Sequence, residues 1–146
     1  MTWQELERQR RVAQEPASKQ EISELRSLVA RNLSDAAAAG LSEDGRYDFA
    51  YNAFRTLAVM VVRASGYRVK AMAGSHKCTF EALETADVMF ARQAGIGDAA
   101  RAKRNHSSYD AIGLVSDAEA NDLINEANEF RKKVEAWLAA NYPSLA

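Results

Sequence analysis

The chain has 146 residues, 47% of them hydrophobic, and its 19 basic and 20 acidic side chains leave a net charge of −1. That length suits one domain with a real core and leaves no room for a second catalytic domain. The even charge balance argues against a sequence-blind nucleic-acid coat, a polybasic membrane binder and an acidic tail protein.

Only two prolines and seven glycines interrupt the chain, so an all-helical fold is expected. Residues 1–16 read as a short charged arm or helix, anchored by Trp3 and Leu6 and ended by Pro16. Ser18 followed by Glu21 is a capping-box pattern. It opens a helix in which Ile22, Leu25, Val29, Leu33 and Ala36 recur at three- and four-residue spacing, one buried face that stops at Gly40. Ser42 or Asp44 opens a second helix with Tyr47, Tyr51, Phe54, Ala58 and Val61 on its inner face. Its run LAVMVV is apolar nearly all round, which predicts the most buried helix of a bundle. Gly66 ends it.

The stretch YRVKAMAGSHK then reads as a loop, and Thr79 as the N-cap of a third helix carrying Phe80, Leu83, Val88 and Phe90 inward to a close at Gly95–Gly97. Asp98 is expected to cap a short fourth helix through AARAKRN, and Gly113 to sit in a turn. Ser116 caps a long final helix with Asp117 and Glu119 early and Arg131, Lys132 and Lys133 late, the order a helix dipole favours. Leu123, Ala127, Phe130, Val134 and Trp137 form its buried stripe, and Pro143 finishes the fold. No repeat, linker or strand-like alternation is visible. The expectation is a single domain over residues 1–146, an all-α up-and-down bundle of four main helices with a short extra one.

The lone Cys78 has no partner for an internal disulfide, and with His76 and His106 it supplies too few soft ligands for a zinc site. No metal and no cofactor are expected. The N-terminus lacks the apolar core of a signal peptide, and the longest apolar run, Leu57 to Val62, has six residues, against about 20 for a membrane span. A cytoplasmic protein without membrane contact follows as the expectation.

The densest unusual stretch is Arg101-Ala-Lys-Arg-Asn-His-Ser-Ser-Tyr-Asp110. On an ideal helix Arg101, Arg104, Asn105 and Ser108 share a face, and forked guanidinium donors match phosphate oxygens. Lys103 and Tyr109 extend the candidate phosphate- or RNA-binding set. The same face would also serve as exposed basic surface, salt-bridged to acids on a neighbouring helix. Elsewhere, His76 reads as a loop histidine without a role, Cys78 as a half-buried thiol, and Tyr47, Tyr51 and Asn52 as core packing with the hydroxyls reaching water.

Together, the opening W-x-E-L, the AYNAFRTLAVMVVRASGY helix, the GSHKCTFEAL segment, the RAKRNHSSYD stretch and the SDAEANDLINEANEFRKKVEAWL helix resemble the HEPN domain family over nearly the whole chain. The resemblance implies a helical bundle that dimerises, and a role either as a metal-independent ribonuclease or toxin, or as a binder of RNA, an antitoxin or a nucleotidyltransferase partner. The family's active-site pattern is an arginine, a polar residue directly after it, and a histidine across four to six intervening residues. Arg101 and His106 have the spacing, but Ala102 stands at the polar position. Arg104 and Asn105 form the right dipeptide, but Tyr109, Asp110 and Ala111 stand where the histidine belongs.

The resemblance therefore implies catalytic candidates Arg101, Arg104, Asn105 and His106 in an incomplete motif. Residues five apart on a helix point about 140° from each other, so Arg101 and His106 meet at one phosphate only if the helix breaks before the histidine. His106 would take the 2′-hydroxyl proton, and a homodimer would bring a second His106 to the same cleft. An interaction protein with no nucleic-acid role is the third expectation.

Overall fold

The computed structural model describes residues 1–109 and 115–146, with the backbone alone at 106–109. In chain order the elements are α1 (Trp3–Arg8), β1 (Val12–Gln14), α2 (Lys19–Ala36), α3 (Glu43–Ala64), β2 (Tyr67–Val69), α4 (Ser75–Ala86), a 3-10 turn at Val88–Phe90, α5 (Ala91–Tyr109) and α6 (Asp117–Asn141). The class is an all-α bundle, and α3 is its axis, packed against α2, α4, α5 and α6. Tyr51, Phe54, Leu57, Ala58, Met60 and Val61 of α3 are all buried. Phe54 meets Phe130 of α6 at 4.7 Å between ring centroids, and Phe90 meets Trp137 edge-on at 5.6 Å. The Trp137 indole N–H donates to Asp87 Oδ2 at 3.0 Å, so the largest ring of α6 is buried without stranding its polar atom. Among the described residues no helix is long and apolar enough to cross a membrane.

Four helices start where the capping signals lie. Thr2, Ser18, Ser42 and Ser116 each accept a first-turn backbone N–H, and α1 and α6 complete the reciprocal capping box. At α2 the box stays half made, because Glu21 is drawn off to Arg63. That guanidinium is only 4% exposed. It donates to Glu21 Oε1 at 3.1 Å and to the carbonyls of Glu15 at 2.8 Å and Tyr67 at 2.9 Å. Arg63 thereby ties the end of α3 to the start of α2 and to β2.

The structure corrects the sequence reading in five places. Residues 1–16 hold a six-residue helix and then a strand, with Arg10 in a left-handed turn (φ 59°) between them. β1 pairs antiparallel with β2, Val12 opposite Val69 and Gln14 opposite Tyr67, so YRV is a strand rather than loop. Strands of three residues are too short to show an alternating pattern. This small sheet covers a satellite core of Leu6, Val12, Val62, Cys78 and Ala82, with Trp3 stacked on Tyr67 at 4.1 Å.

The third helix starts five residues earlier than expected. Gly74, at φ 80°, is its N-cap, and Thr79 lies inside it with its hydroxyl bonded back to the Ser75 carbonyl. Val88 does not enter the core but is 77% exposed. The glycine pair does not end a helix either: Gly95, Gly97 and Asp98 all lie within the 19-residue α5. Gly97 is required there by close packing, since a Cβ would sit 2.2 Å from Cε1 of Phe80 on α4. The turn expected at Gly113 lies outside the described residues.

Candidate functional site

The close approach of α5 to α4 at Gly97 and Phe80 brings the basic half of α5 alongside α3. Arg104 places its guanidinium 5.3 Å from the centre of the Tyr51 ring, a cation–π contact. Its Nε lies 3.5 Å from Asp48 Oδ1, a charge contact too long for a good hydrogen bond, and that nitrogen is buried without a hydrogen-bond partner. Arg101 donates from Nε to Asp98 Oδ1 at 2.9 Å, one turn back on its own helix.

Two further side chains join these arginines. Tyr51 is fully buried, and its hydroxyl meets Nδ1 of His76 at 2.9 Å. The hydroxyl therefore reaches an imidazole, not water, and His76 belongs to the first turn of α4, not to a loop. Arg55, one turn beyond Tyr51 on α3, has a buried Nε without a hydrogen-bond partner, and among the described residues it makes no ion pair. Burial first, then the charges of Arg55, Arg104 and Arg101, hold the His76 imidazole below its usual value. Burial lowers Arg55 in turn, with Tyr51 opposing and Arg104 adding to the effect. Burial raises the Tyr51 phenol against the pull of Arg55, Arg104 and Arg101. Burial and the three neighbouring cations thus both disfavour the protonated imidazole.

The charges at this cleft are unevenly paired. Among the described residues Asp48 pairs with Arg104 and Asp98 with Arg101, Asp44 lies close enough to raise Asp48, and Arg55 makes no ion pair. Burial pushes the Asp48 carboxyl up more than Arg104 pulls it down, so that pair is loosely matched. A half-buried cation without a counter-charge pays its desolvation without return, and an anion arriving at Arg55 and Arg104 would recover it. A phosphate oxygen suits the forked donors.

The rest of the predicted stretch divides. Lys103 points to α6, where its ammonium pairs with Glu119 at 3.1 Å in a groove also lined by Asp122 and Glu126, an environment that repels phosphate. Burial and the Glu119 charge push Tyr47, on the same groove, up to about 12. Asn105 is exposed. The side chains of His106, Ser108 and Tyr109, and all of Asp110, lie outside the described residues. The helix is continuous from Arg101 through Tyr109, so the break that would turn position 106 toward Arg101 within one chain does not occur. Cys78 is buried and its thiol pushed up by that burial, which leaves it unreactive.

The sequence pointed to Arg101 and Arg104, gave Tyr51 and His76 only the roles of core packing and a loop histidine, and did not single out Arg55. The usable signal was Arg55 itself, a cation on the central helix four residues from Tyr51 on the same face. Among the described residues no cluster of His, Cys, Asp and Glu is arranged to hold a metal ion. No protein-family model, no curated protein and no solved structure matches this chain.

Proposed function

We propose that this chain is a HEPN-like helical protein that works by holding the phosphates of RNA in the cleft between α3, α4 and α5, as a homodimer within a toxin–antitoxin or nucleotidyltransferase-associated system. One observation carries the reading: Arg55, Arg101 and Arg104 converge on the Tyr51–His76 pair, and among the described residues Arg55 has no ion-pair partner. The near-neutral total charge is compatible with it, because the cluster is local.

The test is fluorescence-anisotropy titration of single-stranded RNA. Arg104→Ala removes one charge-assisted contact, worth about 1.5 kcal/mol, and should weaken binding about tenfold. Lys103→Ala, whose ammonium serves Glu119, should change it little. Equal affinity in wild type and Arg104→Ala, or no RNA binding, sinks the proposal and leaves a protein-interaction role.

A ribonuclease reading is favoured by a second observation, the His76 imidazole that meets the Tyr51 hydroxyl beside the same arginines and is held below its usual value. A neutral imidazole accepts a proton from the ribose 2′-hydroxyl. The freed oxygen attacks phosphorus, the 5′-oxygen leaves with a proton from an acid, and a 2′,3′-cyclic phosphate and a 5′-hydroxyl result. Arg101 and Arg104 would stabilise the charge gathering on the phosphoryl oxygens. His106 of either protomer is the proposed acid. Cleavage lost in His106→Ala and in His76→Ala supports this chemistry, and intact RNA after incubation with the wild type refutes it.

A further inference from the structure

Beside Arg55 a cavity of about 180 Å³ opens between α3, β2 and the start of α4. Arg55, Arg63, Arg68 and Lys70 line it, together with Ser75. Arg63 is spent on Glu15 and Glu21, and Arg68 shares Glu15 at 3.1 Å. Lys70 and Arg55 make no ion pair among the described residues. Four cations against those two glutamates leave an excess of two positive charges at the cavity. α4 adds to it, since Gly74 gives its N-terminus no side-chain cap and its first turn holds no acid, so the positive end of the helix is not neutralised.

We infer that this cavity is a receptor for a terminal phosphate monoester, held by Arg55, Lys70 and the Ser75 end of α4. Size and charge both select that group. Sites for whole small molecules begin at about 300 Å³, so a complete nucleotide does not fit, whereas one phosphate does. A monoester carries nearly two negative charges at neutral pH, where an internal phosphodiester carries one, and the cavity's excess matches the former. Arg55 lines the cavity and also faces Tyr51 and Arg104, so an RNA end seated here leads its next phosphates into the arginine cleft. The inference rests on the RNA reading for the source of the phosphate, and not for the cavity's affinity for it.

The experiment compares one oligoribonucleotide bearing a 5′-phosphate, a 3′-phosphate or hydroxyls at both ends, with inorganic phosphate as competitor. The proteins are the wild type and Arg68→Gln/Lys70→Gln, two side chains that lie outside the arginine cleft and whose removal circular dichroism will show to leave the fold intact. The wild type should prefer one of the phosphorylated ends by about tenfold, and which end it prefers identifies the terminus. The double variant should lose that preference while binding the hydroxyl-ended RNA as before. If no RNA binds but inorganic phosphate binds the wild type and not the variant, the cavity stands as a phosphate site and the RNA reading falls. Equal affinity for all three RNAs in the wild type, or a preference that survives in the double variant, overturns the inference.

Discussion

Substituting Gly97 with alanine adds a methyl group that would meet three carbons of the Phe80 ring at 2.2, 2.4 and 2.7 Å. Ordinary carbon–carbon contact is about 3.5–4.0 Å, so the ring has to retreat by roughly 1 Å or more. Phe80 is 1% exposed and faces Tyr51 at 6.3 Å and Phe54 at 6.4 Å between centroids, so a ring pushed away from α5 meets these aromatic neighbours. Forced overpacking of this kind costs about 1–3 kcal/mol, and the upper end applies to a rigid ring held between aromatic neighbours. Against it stands the helix preference of alanine over glycine, about 1 kcal/mol. The net expectation is a loss of about 2 kcal/mol. Gly95, two positions earlier in the same helix, has nothing within 4 Å of its added Cβ, so Gly95→Ala should gain about 1 kcal/mol and serves as the internal control. Urea unfolding followed by far-UV circular dichroism measures both. Because Phe80 supports Tyr51, Gly97→Ala should also disturb the His76 imidazole resonances, and Gly95→Ala should not. A Gly97→Ala protein as stable as Gly95→Ala would refute the account of how α4 and α5 pack.

Arg63→Met should destabilise the fold by about 3 kcal/mol, the low end for a broken buried ion pair, because Glu15 and Glu21 are partly exposed and can rehydrate. A loss below about 1 kcal/mol in chemical unfolding would contradict its role as the clamp of α2, α3 and β2. His76 sets an acid-side dependence. Its folded value is lowered, so the unfolded chain binds the extra proton first, and stability falls as pH drops from the ordinary histidine value through the lowered one. His76→Gln should flatten the thermal midpoint over that window, and an unchanged pH profile would argue against a cation-shielded neutral imidazole. A phosphate-bearing ligand in the cleft should raise the His76 titration back toward its usual range, read by NMR.

What the sequence disclosed follows from how far each signal reaches. Long periodic helices with polar caps, α2, α3 and α6, start at Ser18, Ser42 and Ser116 as their capping patterns imply. Glycine was ambiguous. Gly66 follows the C-cap of α3 with a positive φ, whereas α2 already ends at Ala36, four residues before Gly40, and Gly97 sits inside a helix because Phe80 packs against it; only tertiary structure tells these apart. The three-residue strands were hidden because period two needs more residues to show. At the candidate site, Arg101 and Arg104 stood out as a local cluster. Arg55, Tyr51 and His76 come from two other helices and become legible only when α5 is laid against α3 and α4. Lys103 looked equivalent to its neighbours in sequence but faces Glu119 across a different groove.

The salt dependence of RNA affinity measures the arginine cleft most directly. Three guanidiniums that each neutralise a phosphate give a slope of log affinity against log salt of about −2 for a single strand, and each arginine removed should reduce it by about 0.7. The account predicts that steep slope in the wild type and a shallower one in Arg55→Gln, Arg101→Gln and Arg104→Gln alike. A slope near zero, or one that all three substitutions leave unchanged, would contradict it.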